Sequence, residues 1–301
     1  MKRGLVAALC LGLGCRSRPP AAPAQPVAAR PGPAVTAPAR DPLALAPQGF
    51  RAGWSAAAEG VRWRGTTVAL APAAPSIVSP DPRSLAWLTV RLDLGRVRFS
   101  VHRPAADRLE ALGAEAGLRA AFNAGFFEPD RSPSGILSAG ATIFGAPTPR
   151  GGTGVMVIDR GRARLVNIAR DAGVAEAPAG VELAVQCTPR LIEADGSRGI
   201  TRDDGRRASR LVLCLRDGGA TLDVIAVWDP TAPLRGPGLY WLSGALLGPS
   251  PTGDPTGCEA ALNLDGGPST ALFVRDVRGV GVLHPAEGPT PWVIGVSARA
   301  E

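Results

Sequence analysis

From about residue 51 onward the chain runs as brief apolar segments rich in Val, Leu and Ile, each cut off by Gly, Asp or Pro. Segments this short close barely a turn or two of helix but are full-length strands. The strand candidates are 61–63, 66–70, 86–93, 97–101, 120–123, 154–158, 164–167, 182–185, 210–215, 221–228, 261–264, 271–275 and 292–296. Asp159-Arg160-Gly161 and Arg216-Asp217-Gly218-Gly219 stand between neighbouring candidates and suit hairpin turns. Two segments have helical patterning. Pro104 to Gly117 opens on a helix-start proline, with Leu109 and Leu112 on one face. Leu239 to Leu247 lies between Gly238 and Gly248. Strands outnumber helices and are not regularly interleaved with them. The expectation is an α+β fold, a single domain over 51–301 with a large mixed or antiparallel sheet and a few helices.

The amino end differs in texture. Lys2 and Arg3 precede an apolar run from Leu5 to Gly14, followed by Cys15. A charged start and a short apolar stretch match a secretory signal, and the run falls short of the ~20 residues that span a bilayer. Cys15 after Leu13-Gly14 resembles a lipoprotein cleavage site, so residues 1–15 are expected to be a signal peptide of that type and Cys15 a lipidation site. Ordinary cleavage between Ala21 and Ala28 is the alternative. Residues 16–50 are dense in Pro, Ala and Arg, a composition that resists helix and sheet and suits a disordered tether. The expected location is exported, periplasmic or membrane-anchored, with membrane contact only through the lipid.

Setting aside Cys10 and Cys15 leaves Cys187, Cys214 and Cys258, which allow one disulfide and one free thiol in three pairings. With only His102 and His284 in the chain and no Cys-x-x-Cys, a zinc site is not expected. The formal charge of +7 suggests a nucleic-acid partner, but its distribution does not. Residues 1–50 hold six of the 33 basic residues and one of the 26 acidic ones, which leaves 27 against 25 in the body. A nearly balanced body has no electrostatic reason to bind nucleic acid.

Three segments carry candidate chemistry. Ala121-Phe122-Asn123-Ala124-Gly125-Phe126-Phe127-Glu128 ends an apolar strand on an amide that can donate and accept toward a sugar or phosphate. Its small residues, Ala124 and Gly125, would let a ligand approach the backbone. Pro133-Ser134-Gly135 adds a tight turn with a free hydroxyl. Asn263-Leu264-Asp265-Gly266-Gly267-Pro268-Ser269-Thr270 delivers a carboxylate onto a Gly-Gly turn whose amides can form an anion-binding nest. Arg190 and Arg210 each border an apolar run and are candidate phosphate clamps.

In this order, Asn-Ala-Gly-Phe-Phe, Gln-Cys-Thr-Pro-Arg-Leu, the strand led by Arg210 and Asn-Leu-Asp-Gly-Gly-Pro-Ser-Thr resemble the phosphodiester glycosidase family over roughly residues 54–298. That family includes the mammalian uncovering enzyme and bacterial exopolysaccharide biosynthesis proteins. The resemblance implies a hydrolase that cleaves a sugar joined through its anomeric carbon to a phosphodiester, in cell-envelope or exopolysaccharide metabolism. A phosphate leaving group is already a stable anion, so the need is to hold it and to stabilise an oxocarbenium-like sugar. Asp265 is then expected at the anomeric centre as nucleophile or base, with Asn123 orienting the substrate and Glu128 as second carboxylate. Arg190, Arg210, Gly266, Gly267 and Ser269 are expected to bind substrate. No cofactor is expected. Asp203-Asp204 and the Glu128/Asp130 pair are weak candidate Ca²⁺ ligands. The partner is a glycan or sugar phosphate. The rival readings are a non-catalytic envelope module that binds anionic glycans and a phosphodiesterase without sugar preference.

Overall fold

The computed structural model describes residues 53–70, 82–109, 112, 117–171, 180–249, 256–275 and 281–299. The segments assigned above to a signal peptide, Cys15 and a tether lie outside them.

Three antiparallel sheets make up the body. In the first, the order is β1 (Ser55–Ala58), β2 (Val61–Ala69), β3 (Ser84–Asp93), β13 (Thr221–Trp228), β12 (Arg210–Arg216), β14 (Ala260–Asn263) and β11 (Arg190–Ile192). The second runs β7 (Thr142–Gly145), β6 (Leu137–Ala139), β10 (Leu183–Cys187), β8 (Gly154–Asp159) and β9 (Arg162–Asn167). The third runs β16 (Gly281–His284), β15 (Leu272–Arg275), β5 (Ala120–Asn123), β17 (Val293–Ala298) and β4 (Val97–His102).

The fold is therefore largely β: the expected antiparallel pairing is present, and the α+β label fits it only loosely. One α-helix lies wholly within the described residues, α1 (Leu239–Leu247). Where a first helix was expected, Pro104 is followed by a 3₁₀ turn at Ala105–Asp107, Leu109 and Leu112 are helical and pack in one apolar cluster, and residues 110–111 and 113–116 lie outside the described set.

Burial on both faces explains the continuous apolar strands. On β12, Leu211, Leu213 and Leu215 face the core shared by all three sheets, while Val212 and Cys214 face a second cluster under α1. On β13, Leu222, Val224 and Ala226 join the shared core, and Ile225 and Val227 pack under the helix with Leu242 and Leu246. Cys214 and Cys258 form the disulfide, which leaves Cys187 as a buried thiol. A fully buried Asp223 is ion-paired to Arg91 Nε at 2.6 Å and Arg216 Nε at 2.7 Å. The buried carboxylate is thus held between two guanidinium groups.

Strand pairing places the site. β5 lies between β15 and β17, and β14 lies between β12 and β11. The chain leaving β14 keeps to its neighbour: Leu264 N–H donates to Leu211 O at 2.8 Å and Gly267 N–H donates to Ser209 O at 2.8 Å. Asp265 is suspended between those two pins.

Candidate functional site

Asn123 and Asp265 belong to different sheets, yet their segments meet. Asn123 Nδ2 donates to Asp265 O at 2.8 Å, and its Oδ1 accepts from Ala271 N–H at 2.9 Å. One amide side chain thus clamps both ends of the Asp265–Thr270 turn. Asn123 is 2% exposed and its donors and acceptor are spent on backbone. In this geometry its side chain positions the Asp265 turn. Asn263 does the same for the neighbouring strand, donating from Nδ2 to Leu264 O at 2.6 Å and to Thr188 O at 3.3 Å. Its Oδ1 is buried without a hydrogen-bond partner. The matching strings Ala-Ala-Phe-Asn and Ala-Ala-Leu-Asn were the sequence signal for that second clamp.

The Asp265 side chain is half-buried. Burial pushes its carboxyl up to about 6, against the lowering effect of hydrogen bonds from the Ser269 hydroxyl and the Gly266 amide. A carboxylate in this state is ionised at neutral pH but incompletely solvated, which favours attack on, or stabilisation of, a cationic centre. Beside it lies the Cys187 thiol, pushed up to about 12, chiefly by burial and also by the charge on Asp265. Cys187 is therefore a neutral neighbour and not a nucleophile.

The Gly266-Gly267 amides do not form the expected nest. Gly267 N–H is bound to Ser209 O, and the Gly266 amide turns onto the Asp265 carboxylate. Gly267 is needed for its backbone, with φ +59°, in the left-handed region. Ser209 completes the turn by donating its hydroxyl to Gly267 O at 2.8 Å. Gly125 likewise serves packing and not ligand approach, since a Cβ there would lie 2.7 Å from Gln186 O.

The two arginines differ in their surroundings. Arg210 is 9% exposed and gives hydrogen bonds only to carbonyls, Nε to Pro237 O at 3.3 Å and Nη2 to Arg206 O at 3.4 Å. Among the described residues no carboxylate lies within ion-pair distance of it, and burial lowers its pKa. Its Nη1 would be 3.8 Å from a Cβ on Gly266, so the guanidinium borders the Asp265 turn. Arg190 is instead ion-paired with Glu193 at 2.6 Å and hydrogen-bonded to Thr153. It lines a separate depression with Asn167, Arg170 and Asp195. Its guanidinium thus has a carboxylate partner, unlike that of Arg210.

Glu128 is also committed elsewhere. Its carboxylate accepts the Ser134 hydroxyl at 2.7 Å and pairs with Arg150 at 2.7 Å, and these hold it below the ordinary range, Ser134 contributing most. A carboxylate held below the ordinary range is a poor proton donor but keeps the capacity to act as a base. The Ser134 hydroxyl, expected to be free, is the one it uses. The candidate Ca²⁺ ligands are engaged as well: Asp203 with Arg207 at 2.8 Å, and Asp130 with the Ser132 hydroxyl at 2.6 Å. Among the described residues no group of three or more metal-ligating side chains comes together, and no helix is long and apolar enough to cross a membrane.

The fold has known counterparts. The structure aligns with a hypothetical protein from Synechocystis at a TM-score of 0.52 and 16% identity, over 80% of this chain and 62% of the other. It aligns with the catalytic domain of zebrafish N-acetylglucosamine-1-phosphodiester alpha-N-acetylglucosaminidase, auto-inhibited by its pro-peptide, at a TM-score of 0.58 and 13% identity, over 82% of this chain and 87% of that one. This chain thus spans less than two thirds of the Synechocystis protein. No curated protein matches it. The family model for phosphodiester glycosidases matches residues 116–297, from the strand that carries Asn123 through the Asp265 turn to β17. The chain belongs to the phosphodiester glycosidase family.

Proposed function

We propose that this protein hydrolyses a glycosyl phosphodiester at the bond between the anomeric carbon and the phosphate oxygen. The observation that carries the reading is the raised, half-buried Asp265 carboxylate on a turn pinned from two sheets, next to a buried guanidinium with no carboxylate partner among the described residues. A buried, uncompensated cation is costly and is stabilised when an anion arrives. Arg210 would hold the phosphate while Asp265 faces the anomeric carbon, as nucleophile or as base for water. As the C–O bond breaks, the electron pair leaves with the phosphate monoester. Water supplies the hydroxyl of the freed sugar and one proton. Family membership and the fold shared with the zebrafish glycosaminidase domain support this class of substrate.

Both roles for Asp265 require its ionised form. The kcat/KM profile should therefore have an acid limb with an apparent pKa of about 6, rate falling tenfold per pH unit below it. Run in H₂¹⁸O, the reaction should place label in the sugar hydroxyl. Label in the phosphate would instead mark a phosphodiesterase, and saturable binding without turnover would mark a glycan-binding module.

We further propose that the protein is exported and held at a membrane by a lipid on Cys15, in cell-envelope or exopolysaccharide metabolism. The leader pattern and the Cys214–Cys258 disulfide, a bond that persists in oxidising compartments, support this. Cys15→Ser should move the protein from the membrane fraction to the soluble fraction. An unchanged distribution would dismiss the anchor.

A further inference from the structure

A cavity of about 540 Å³ opens beside α1, within the range of small-molecule sites. Its walls include Arg198, Asp203, Arg207, Pro237, Tyr240 and Trp241. Neither aromatic belongs to the core: Tyr240 and Trp241 are each 38% exposed although they stand in the first turn of an otherwise apolar helix. Arg198 braces the ring of Tyr240, its guanidinium 3.8 Å from the ring centroid, with Nε bonded to Ser243 Oγ at 3.2 Å and Nη2 to Tyr240 O. The ring is thereby held rather than left to swing. On the same cavity, Asp203 and Arg207 form a two-pronged pair at 2.9 and 2.8 Å. Gly238 keeps that pair accessible, because a Cβ there would lie 2.5 Å from Arg207 Nη1.

This combination suits one ligand chemistry. A pyranose offers an apolar C–H face to an aromatic ring and a belt of hydroxyls that donate to a carboxylate and accept from a guanidinium. The cavity is also placed to serve the candidate site. Pro237, in its wall, gives its carbonyl to Arg210 Nε, and Arg206 next to Arg207 gives its carbonyl to Arg210 Nη2. One guanidinium thus lies between the cavity wall and the Asp265 turn.

We infer that this cavity is a saccharide subsite that takes a neutral, hydroxyl-bearing sugar unit of an extended substrate, with Tyr240 and Trp241 as its stacking platform and the Asp203–Arg207 pair as its hydroxyl ligand. It rests on the proposed glycosidase reading only for the claim that the bound sugar continues into the cleaved diester. The substrate is then an oligosaccharide or polymer carrying the phosphodiester, and not a lone sugar phosphate.

Binding and turnover test the two claims separately. The full-length protein is titrated by calorimetry with cellotetraose, maltotetraose and chitotetraose. At least one should bind with a millimolar-range Kd, at least tenfold weaker in Trp241→Ala and largely retained in Trp241→Phe. In parallel, kcat/KM is measured on a p-nitrophenyl phosphodiester of a single sugar and on the same diester extended by a tetrasaccharide. Trp241→Ala and Asp203→Asn should lower the extended substrate tenfold or more and leave the short one within twofold. No binding of any tetrasaccharide, or equal effects on short and extended substrates, would overturn the subsite. Tetrasaccharide binding that depends on Trp241 in a protein that turns over neither diester would uphold the subsite and sink the glycosidase reading.

Discussion

Asp265→Asn should abolish turnover while making the protein more stable. The activity loss follows from replacing the ionised oxygen proposed to face the anomeric carbon with a neutral amide. For removal of one member of a catalytic group the expected fall in kcat is on the order of 10³–10⁵-fold. The stability gain follows from the same burial. The folded-state value of about 6 lies above the ordinary 3.8, so between those values the native protein binds a proton that the unfolded chain has released. Native stability therefore falls as pH rises from about 4 to about 6, and the deficit remains above that. The gap corresponds to about 3 kcal/mol at most. Asn keeps the shape and one acceptor for the Ser269 hydroxyl, so some of that is recovered as a melting temperature several degrees higher at pH 8. The advantage should shrink towards zero at pH 4. A melting temperature that is lower at pH 8, with activity retained, would refute both halves.

Such an opposition between stability and chemistry is what a functional site on this turn predicts, and the turn also shows what a chain of letters conveys and what it conceals. Strand β13 and helix α1 have the bounds expected from the sequence, because apolar runs and flanking glycines decide them locally. The hairpin at Asp159-Arg160-Gly161 was equally legible, and Arg160 and Gly161 take φ of 50° and 69° as a tight turn demands. Strand β2 is a single element across Gly65, where the composition suggested a break, since β3 pairs with it throughout. Strands β6, β7, β11 and β16 are three or four residues long and exist through their partners, so nothing local announced them.

At the site, the segments were recognisable but the allotment of groups was not. Asp-Gly-Gly suggests open amides, yet Ser209, from the lead-in to a distant strand, consumes one of them. Arg190 and Arg210 have the same local setting, an arginine before an apolar run. What separates them is Glu193 on one and a wall of carbonyls on the other. Tyr240 and Trp241 pass in sequence for core residues of an apolar helix, and only the packing of α1 turns them outward.

Asn123 supplies the second large effect. Its side chain links the third sheet to the Asp265 turn, so it is placed to govern where the carboxylate stands. Asn123→Ala would strand the Ala271 amide and the Asp265 carbonyl in a buried position. Each such group costs about 1–3 kcal/mol, so the loss of stability should be about 2–6 kcal/mol. That variant alone would not separate a folding role from a positioning one. Asn123→Asp is nearly isosteric and keeps the acceptor for Ala271 N–H, but it faces the Asp265 carbonyl with an oxygen in place of a donor. The turn then shifts while the sheet pairing persists. Displacement of a reacting group by about 1 Å costs about 10²-fold, so kcat should fall by that order while KM changes little, in a protein that still melts cooperatively. Equal loss in KM and kcat would indicate direct substrate contact by Asn123. Unchanged kcat would show that the clamp does not control the carboxylate, and the proposed geometry of catalysis would fail with it.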